Sequence, residues 1–211
     1  MIRIVTLSNK PDYLQDCLEY VRCQDRPAEH YVITDNCVDW GDRFPPSAWL
    51  NDQWERAAAD DYVCWLSDDD YMMPEFTARL AGYLDEHPEY MAVYGNARHV
   101  LYERGRGIVK FIRFLGEGVY SSTRLPMGQI DGAQMMIRRS ALDVIERPWQ
   151  PEELDHARVC DGILLNKIAV RHGIYPIGGD PVIEFRTTPD SAHTYMDGDT
   201  YRKRDWRHVA A

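Results

Sequence analysis

Apolar residues recur along the first 95 positions in two alternating rhythms. Ile2-Arg3-Ile4-Val5-Thr6-Leu7 reads as a strand, and Ser8-Asn9-Lys10-Pro11 breaks it. Pro11 suits the first turn of a helix. Tyr13, Leu14, Cys17, Leu18 and Val21 then return at helical spacing, which predicts an amphipathic helix over 11–24. His30-Tyr31-Val32-Ile33-Thr34 is a second strand, ending at Asp35-Asn36. Gly41, Pro45 and Pro46 mark a loop, and 47–59 reads as a helix with Ser47 as its N-cap. Asp61-Tyr62-Val63-Cys64-Trp65-Leu66 is a third strand, apolar on both faces as a central parallel strand requires. It runs straight into Ser67-Asp68-Asp69-Asp70. Pro74 opens a helix to Glu86, His87-Pro88 stops it, and Met91-Ala92-Val93-Tyr94 is a fourth strand. Strands alternating with helices in this way argue for a parallel α/β sheet.

The second half has a different texture. Residues 96–120 read as strands joined by turns, with Arg104-Gly105-Arg106-Gly107 as a hairpin tip. Ala133-Gln134-Met135-Met136-Ile137 is a strand leading to a short helix over 139–146. Val159, Ile163, Leu164, Ile168 and Ala169 give a helix over 160–172. Ile174–Ile177 and Val182–Phe185 are short late strands, and the residues after 186 are polar and expected to form a mobile tail. No repeat or linker interrupts the chain. One domain is expected, with a nucleotide-type front half over 1–95, a mixed half over 96–186 and a tail over 187–211.

Length and charge narrow the classes. A chain of 211 residues can bury a substantial core. Its net charge of −10 argues against a protein that coats nucleic acid or anionic membrane along its whole surface. No run free of charged residues is longer than about eight, far short of the roughly 20 a membrane span needs, so no integral membrane association and no leader are expected. The five cysteines form no CxxC pair, which fits reduced thiols and a cytoplasmic protein. Two cationic stretches stand against the total: Arg98, Arg104, Arg106, Lys110 and Arg113 against Glu103, and Arg202, Lys203, Arg204 and Arg207 against Asp205. They read either as solvated surface or as contacts for an anionic acceptor or partner.

The acidic triplet carries the candidate chemistry. In an open parallel sheet, ligands bind beyond the carboxyl ends of the strands, where Asp68-Asp69-Asp70 sits. Three adjacent carboxylates repel, and a hard divalent cation relieves that repulsion while keeping sites for water and phosphate oxygens. A cation there would neutralise a diphosphate leaving group. The other reading of the triplet is a solvated acidic turn at the start of the next helix.

Several segments, in order, then resemble one family. Tyr62 to Glu75 is similar to the acidic signature of family 2 glycosyltransferases of the GT-A fold, in which a strand ends in acids (the DXD motif) and a Pro-acid pair starts the next helix. Thr6-Leu7-Ser8-Asn9 resembles that family's first-strand loop, and Val32-Ile33-Thr34-Asp35-Asn36 its second-strand end. Ile130 to Ser140 resembles the acceptor-side strand, and Val159-Cys160-Asp161-Gly162-Ile163-Leu164 the later acidic motif before a helix. The spore-coat polysaccharide type of inverting transferase is the pattern it most resembles, over roughly residues 1–186.

The resemblance implies an α/β, Rossmann-like nucleotide-diphospho-sugar transferase fold, with a mainly parallel central sheet and a small mixed acceptor-side sheet. It implies a metal-dependent, inverting transfer of sugar from a nucleotide-diphospho-sugar, UDP-linked by preference, to a hydroxyl acceptor. Asp69 would ligate Mn²⁺ or Mg²⁺, with His193 as a further ligand. Asp68 would sit by the ribose or a metal-bound water, and Asp70 would cap the helix. Asp35 would accept from the base, Thr6 and Asn9 would contact the nucleotide largely through backbone, and Arg43 and Arg186 would meet base or diphosphate. Asp131 would bind sugar or acceptor hydroxyls, and Asp161 would be the general base. Asp161 also reads as an N-cap. Two rivals remain: a GT-A-shaped binding module without turnover, for which Cys160 replaces an acid of the pattern, and a sugar nucleotidyltransferase, which normally needs an early glycine-rich loop that Ser8-Asn9-Lys10-Pro11 does not supply.

Overall fold

In a computed structural model, the described residues are 1–8, 10–34, 53–145, 160–189, 194–197 and 200–203. Of the expected helix over 47–59, residues 47–52 lie outside them, as do Asn9, Asp35, Arg43 and His193; of the rest, 53–55 are helical and 56–59 are not. The chain begins with β1 (Ile2–Ser8), α1 (Pro11–Arg22) and β2 (Glu29–Thr34). It continues through β3 (Tyr62–Ser67), the short β4 (Tyr71–Met72), α2 (Phe76–Glu86) and β5 (Ala92–Tyr94). Then follow the hairpin strands β6 (Ala97–Glu103) and β7 (Gly107–Leu115), β8 (Met135–Arg138) and α3 (Cys160–His172). Last come β9 (Tyr175–Pro176), β10 (Ile183–Thr187), β11 (Thr194–Asp197) and β12 (Thr200–Lys203).

Six strands form the main sheet in the order β2-β1-β3-β8-β5-β9. β1 pairs in parallel with β2 and β3, and β5 with β9; β8 runs antiparallel between β3 and β5. The expected mainly parallel sheet is therefore present, with one reversed strand at its centre. β3 shows why its sequence is apolar throughout. Val63 and Trp65 pack on one side with Leu164, Leu165 and Ile168 of α3. Cys64 and Leu66 pack on the other with Cys17 and Val21 of α1 and Phe76, Leu80 and Leu84 of α2. Successive side chains of a strand point to opposite faces, so a strand covered on both sides needs an apolar residue at every position.

The second sheet has the order β4-β10-β6-β7 and is mixed: β10 is parallel to β6 and antiparallel to β4, and β7 is antiparallel to β6. The expected helix over 139–146 is a shorter 3₁₀ turn, Arg139–Leu142. Within the tail, β11 and β12 pair antiparallel, Asp197 opposite Thr200. The intervening sequence Gly198-Asp199 is a two-residue, glycine-first hairpin signal. No helix among the described residues is long and apolar enough to cross a membrane.

Candidate functional site

β1 and β3 lie side by side and parallel, Leu7 opposite Ser67, so their carboxyl ends open at the same edge. That register brings Ser8 and Lys10 against the acidic triplet. The Ser8 hydroxyl and the Lys10 backbone N–H both donate to Asp68 Oδ2, at 3.0 and 2.7 Å. The Lys10 ammonium forms an ion pair with Asp69 Oδ2, and the Thr188 hydroxyl, from the segment after β10, donates to the same oxygen at 3.2 Å. Lys10, Ser8 and Thr188 were not singled out from the sequence. A cation immediately after a first strand that ends beside an acidic turn is the signal that would have found Lys10.

The three aspartates are not equivalent. Burial pushes the Asp68 carboxyl up, and the Lys10 N–H is the main opposing influence. Asp70 is 1% exposed and accepts the Arg186 backbone N–H at Oδ1, 2.8 Å away. Its other oxygen has no hydrogen-bond partner among the described residues. Burial first, then the charges of Asp69 and Asp131, hold its carboxyl well above the usual range. Asp70 therefore does not cap α2. It ties the end of β3 to β10, because a buried backbone N–H needs an acceptor.

Arg186, expected at the diphosphate, has a buried ion-pair partner and a set of aromatic neighbours. Its Nε donates to Glu184 Oε1 at 2.7 Å, and its guanidinium lies 4.0, 5.3 and 5.6 Å from the rings of Tyr102, Tyr71 and Tyr20. Its contribution to the site is the backbone N–H on Asp70. Thr6, expected to contact the nucleotide largely through its backbone, lies inside β1, paired between Val32 and Leu66, and is fully buried. Its hydroxyl bonds His30 Nε2 at 2.9 Å and faces the Cys17 thiol.

On the other side of the acidic edge stands Asp131, placed by the reversed strand. Because β8 runs antiparallel to β3, the turn that leads into β8 lies at the carboxyl end of β3. Asp131 starts that 3₁₀ turn (Gly132–Gln134), accepting the Ala133 N–H at 2.9 Å, while Gln134 Oε1 accepts the Asp131 N–H at 2.7 Å. Gln134 is buried and donates onward to the Gly95 carbonyl at 2.8 Å, which anchors the turn to the core. Gly132 is required here: a Cβ would meet the Trp65 indole at 2.2 Å. Burial, and after it the charge of Asp161, push the Asp131 carboxyl up to about 7. Asp161 sits in the first turn of α3, where a carboxylate is favoured by the helix dipole.

The electrostatic influences thus run from Asp69 through Asp70 and Asp131 to Asp161. Asp131 binds more protons folded than unfolded between its ordinary value of 3.8 and about 7, so it makes the fold less stable as pH rises through that window. Asp131→Asn keeps an oxygen for the Ala133 N–H and removes the titration. Thermal melts should show the variant losing less stability than the parent chain between about pH 4 and about pH 7. An identical pH dependence in the two proteins would refute the assignment.

No family model matches this chain, and no curated protein matches it. Solved structures do. TarS of S. aureus, residues 1–349, superposes with a TM-score of 0.62 at 15% identity, over 88% of this chain and 60% of that one. The same TarS fragment in complex with UDP-GlcNAc superposes with a TM-score of 0.64 at 17% identity, over 88% and 58%. Its complex with UDP gives 0.62 at 15%, over 89% and 61%. The chain spans about three-fifths of the length of these TarS chains. At such identities the likeness shows the fold: a Rossmann-like α/β sheet with a second, mixed sheet beside it.

Proposed function

We propose that this chain is an inverting glycosyltransferase that takes sugar from a nucleotide-diphospho-sugar, UDP-linked, and passes it to a hydroxyl acceptor. One observation carries the reading: the joined carboxyl ends of β1 and β3 hold Asp68 and Asp69 beside Lys10, and β8 and α3 bring Asp131 and Asp161 to the far side. A fold shared with TarS, solved with UDP and with UDP-GlcNAc, supports the choice of donor.

The residues at the edge fit a hard divalent cation. The donors are carboxylate oxygens from two residues, and Mg²⁺ is held by one or two carboxylates with water and phosphate oxygens as its other ligands; Asp69 already takes a positive charge from Lys10. Asp68 and Asp69 would hold the ion. Such an ion supplies charge neutralisation for the departing nucleoside diphosphate.

The rest falls to this chain's own side chains. Asp161 accepts the proton of the acceptor hydroxyl as that oxygen attacks the anomeric carbon. The anomeric carbon–phosphate oxygen bond breaks on the opposite face, and its electrons go to the diphosphate. Lys10, at the donor end, gives that developing charge a fixed counter-charge. Asp131, whose carboxyl is pushed up to about 7 and is about half protonated near neutral pH, hydrogen-bonds a sugar or acceptor hydroxyl.

Thermal melts with nucleoside diphosphates and Mn²⁺ test this. At a hundredfold excess over Kd, binding adds about 2.7 kcal/mol, a rise of roughly 5–10 °C for a chain of this size. UDP should give the rise, and Asp69→Ala should remove its metal-dependent part. The reading fails if no nucleoside diphosphate shifts the melt with metal present.

A further inference from the structure

β7 is the outer strand of the second sheet, and its sequence, Gly107 to Leu115, carries large apolar residues three apart. Ile108 and Phe111 are each 48% exposed and Phe114 is 66% exposed. In a regular strand, residues three apart face opposite sides. Here the pairing with β6 shifts register twice, between His99 and Val100 and between Leu101 and Tyr102, each shift adding one residue to β7. As a result Ile108, Phe111 and Phe114 stand opposite Tyr102, Val100 and Arg98, all on one face. The Phe111 and Phe114 rings pack together, centroids 5.0 Å apart. Lys110 and Arg113 stand opposite Leu101 and His99, on the other face, and both are exposed. Arg104 and Arg106 at the hairpin tip each meet an acid, Asp12 at 3.7 Å and Glu103 at 3.2 Å. Among the described residues no ion pair engages Lys110 or Arg113.

An exposed edge strand is normally blunted, because its free backbone groups and apolar side chains invite pairing. This one keeps aromatic side chains on one flank and unneutralised cations on the other, in a chain whose total charge is −10. A second copy is a poor occupant. Antiparallel pairing of β7 with another β7 would bring Lys110 and Arg113 of both copies close together on one face, and like charges facing across strands are destabilising. The chain's own cationic segment, Arg202-Lys203-Arg204, is repelled for the same reason. The charge fits an acidic surface, and the phenylalanines fit one with an apolar interior. We propose that the β7 edge docks on an anionic lipid bilayer. The strand lies along the interface, Ile108, Phe111 and Phe114 enter the acyl boundary, and Lys110 and Arg113 meet the headgroup phosphates.

Flotation of the full chain with lipid vesicles, without nucleotide or metal, tests this independently of any transfer activity. Binding is expected to vesicles of phosphatidylcholine mixed with phosphatidylglycerol, to be weak on phosphatidylcholine alone, and to fall as salt rises. Lys110→Gln and Arg113→Gln should each weaken it about fivefold. Phe111→Ser and Phe114→Ser should each weaken it roughly tenfold. All four side chains are exposed, so the variants' melting temperatures should match the parent's. Absence of binding to the mixed vesicles at low salt would overturn the proposal. So would sedimentation showing a dimer that Phe111→Ser together with Phe114→Ser makes monomeric, since the edge would then serve a second copy.

Discussion

Asp161→Asn is expected to lower sugar transfer by about a thousandfold, the middle of the range for loss of a positioned general base. UDP binding should survive, because Asp161 stands in the first turn of α3, away from the Asp68–Asp69–Lys10 end where the diphosphate is expected. Asparagine keeps the size of the side chain and its oxygen at the helix start, so α3 has no reason to unravel. A second readout follows from the electrostatics. Asp161 is the largest influence after burial on the Asp131 carboxyl, and removing its charge should move Asp131 back toward its ordinary 3.8. The ionisation of Asp131, followed by the carboxyl carbon resonance on titration, should therefore fall in the variant. Transfer at the parent rate would remove Asp161 from the base role whatever happens to Asp131.

The second large effect is on stability. Glu184 is 1% exposed and meets two cations, Arg186 at 2.7 Å through an aligned hydrogen bond and Arg98 at 2.6 Å as a charge contact. Arg186→Met should destabilise the fold by about 3 kcal/mol, toward the lower end of the cost of orphaning a buried charge because Arg98 remains. That corresponds to a fall in melting temperature of roughly 6–12 °C. The loss belongs to the unpaired carboxylate, so Arg186→Met combined with Glu184→Gln should recover part of it. Equal losses in the single and the double variant would mean that the cost comes instead from the three tyrosine rings around the guanidinium.

Much of the sheet was legible because its strands and helices each carry their own local period. α1, β3, α2 and the β6–β7 hairpin all fall where the pattern of apolar residues placed them. β8 shows the limit. Met135-Met136-Ile137 reads as a strand, yet nothing in four residues says that it runs backwards between β3 and β5, since that choice depends on partners more than 40 positions away in the chain. The period-three spacing of Ile108, Phe111 and Phe114 resolves only once the two bulges are known. The candidate site divides in the same way. The acids announce themselves by standing together at the end of an apolar strand. The residues that hydrogen-bond these acids, Ser8, Lys10, Thr188 and the Arg186 backbone, come from other elements and have ordinary local sequences.

The reversed β8 also bears on the order in which the molecule can be put together. β3 and β5 are separated by fewer than 30 residues, but they are never neighbours; β8, synthesised some 40 residues after β5, fills the slot between them. A nascent chain that has emerged only as far as β5 holds two apolar strands with no partner on the facing edges. The first 95 residues, which the proposed function makes the donor-binding half, therefore cannot complete their sheet before β8 has been made. The same insertion completes the sheet and delivers Asp131 to the acidic edge, so maturation of the core and assembly of the site are a single event.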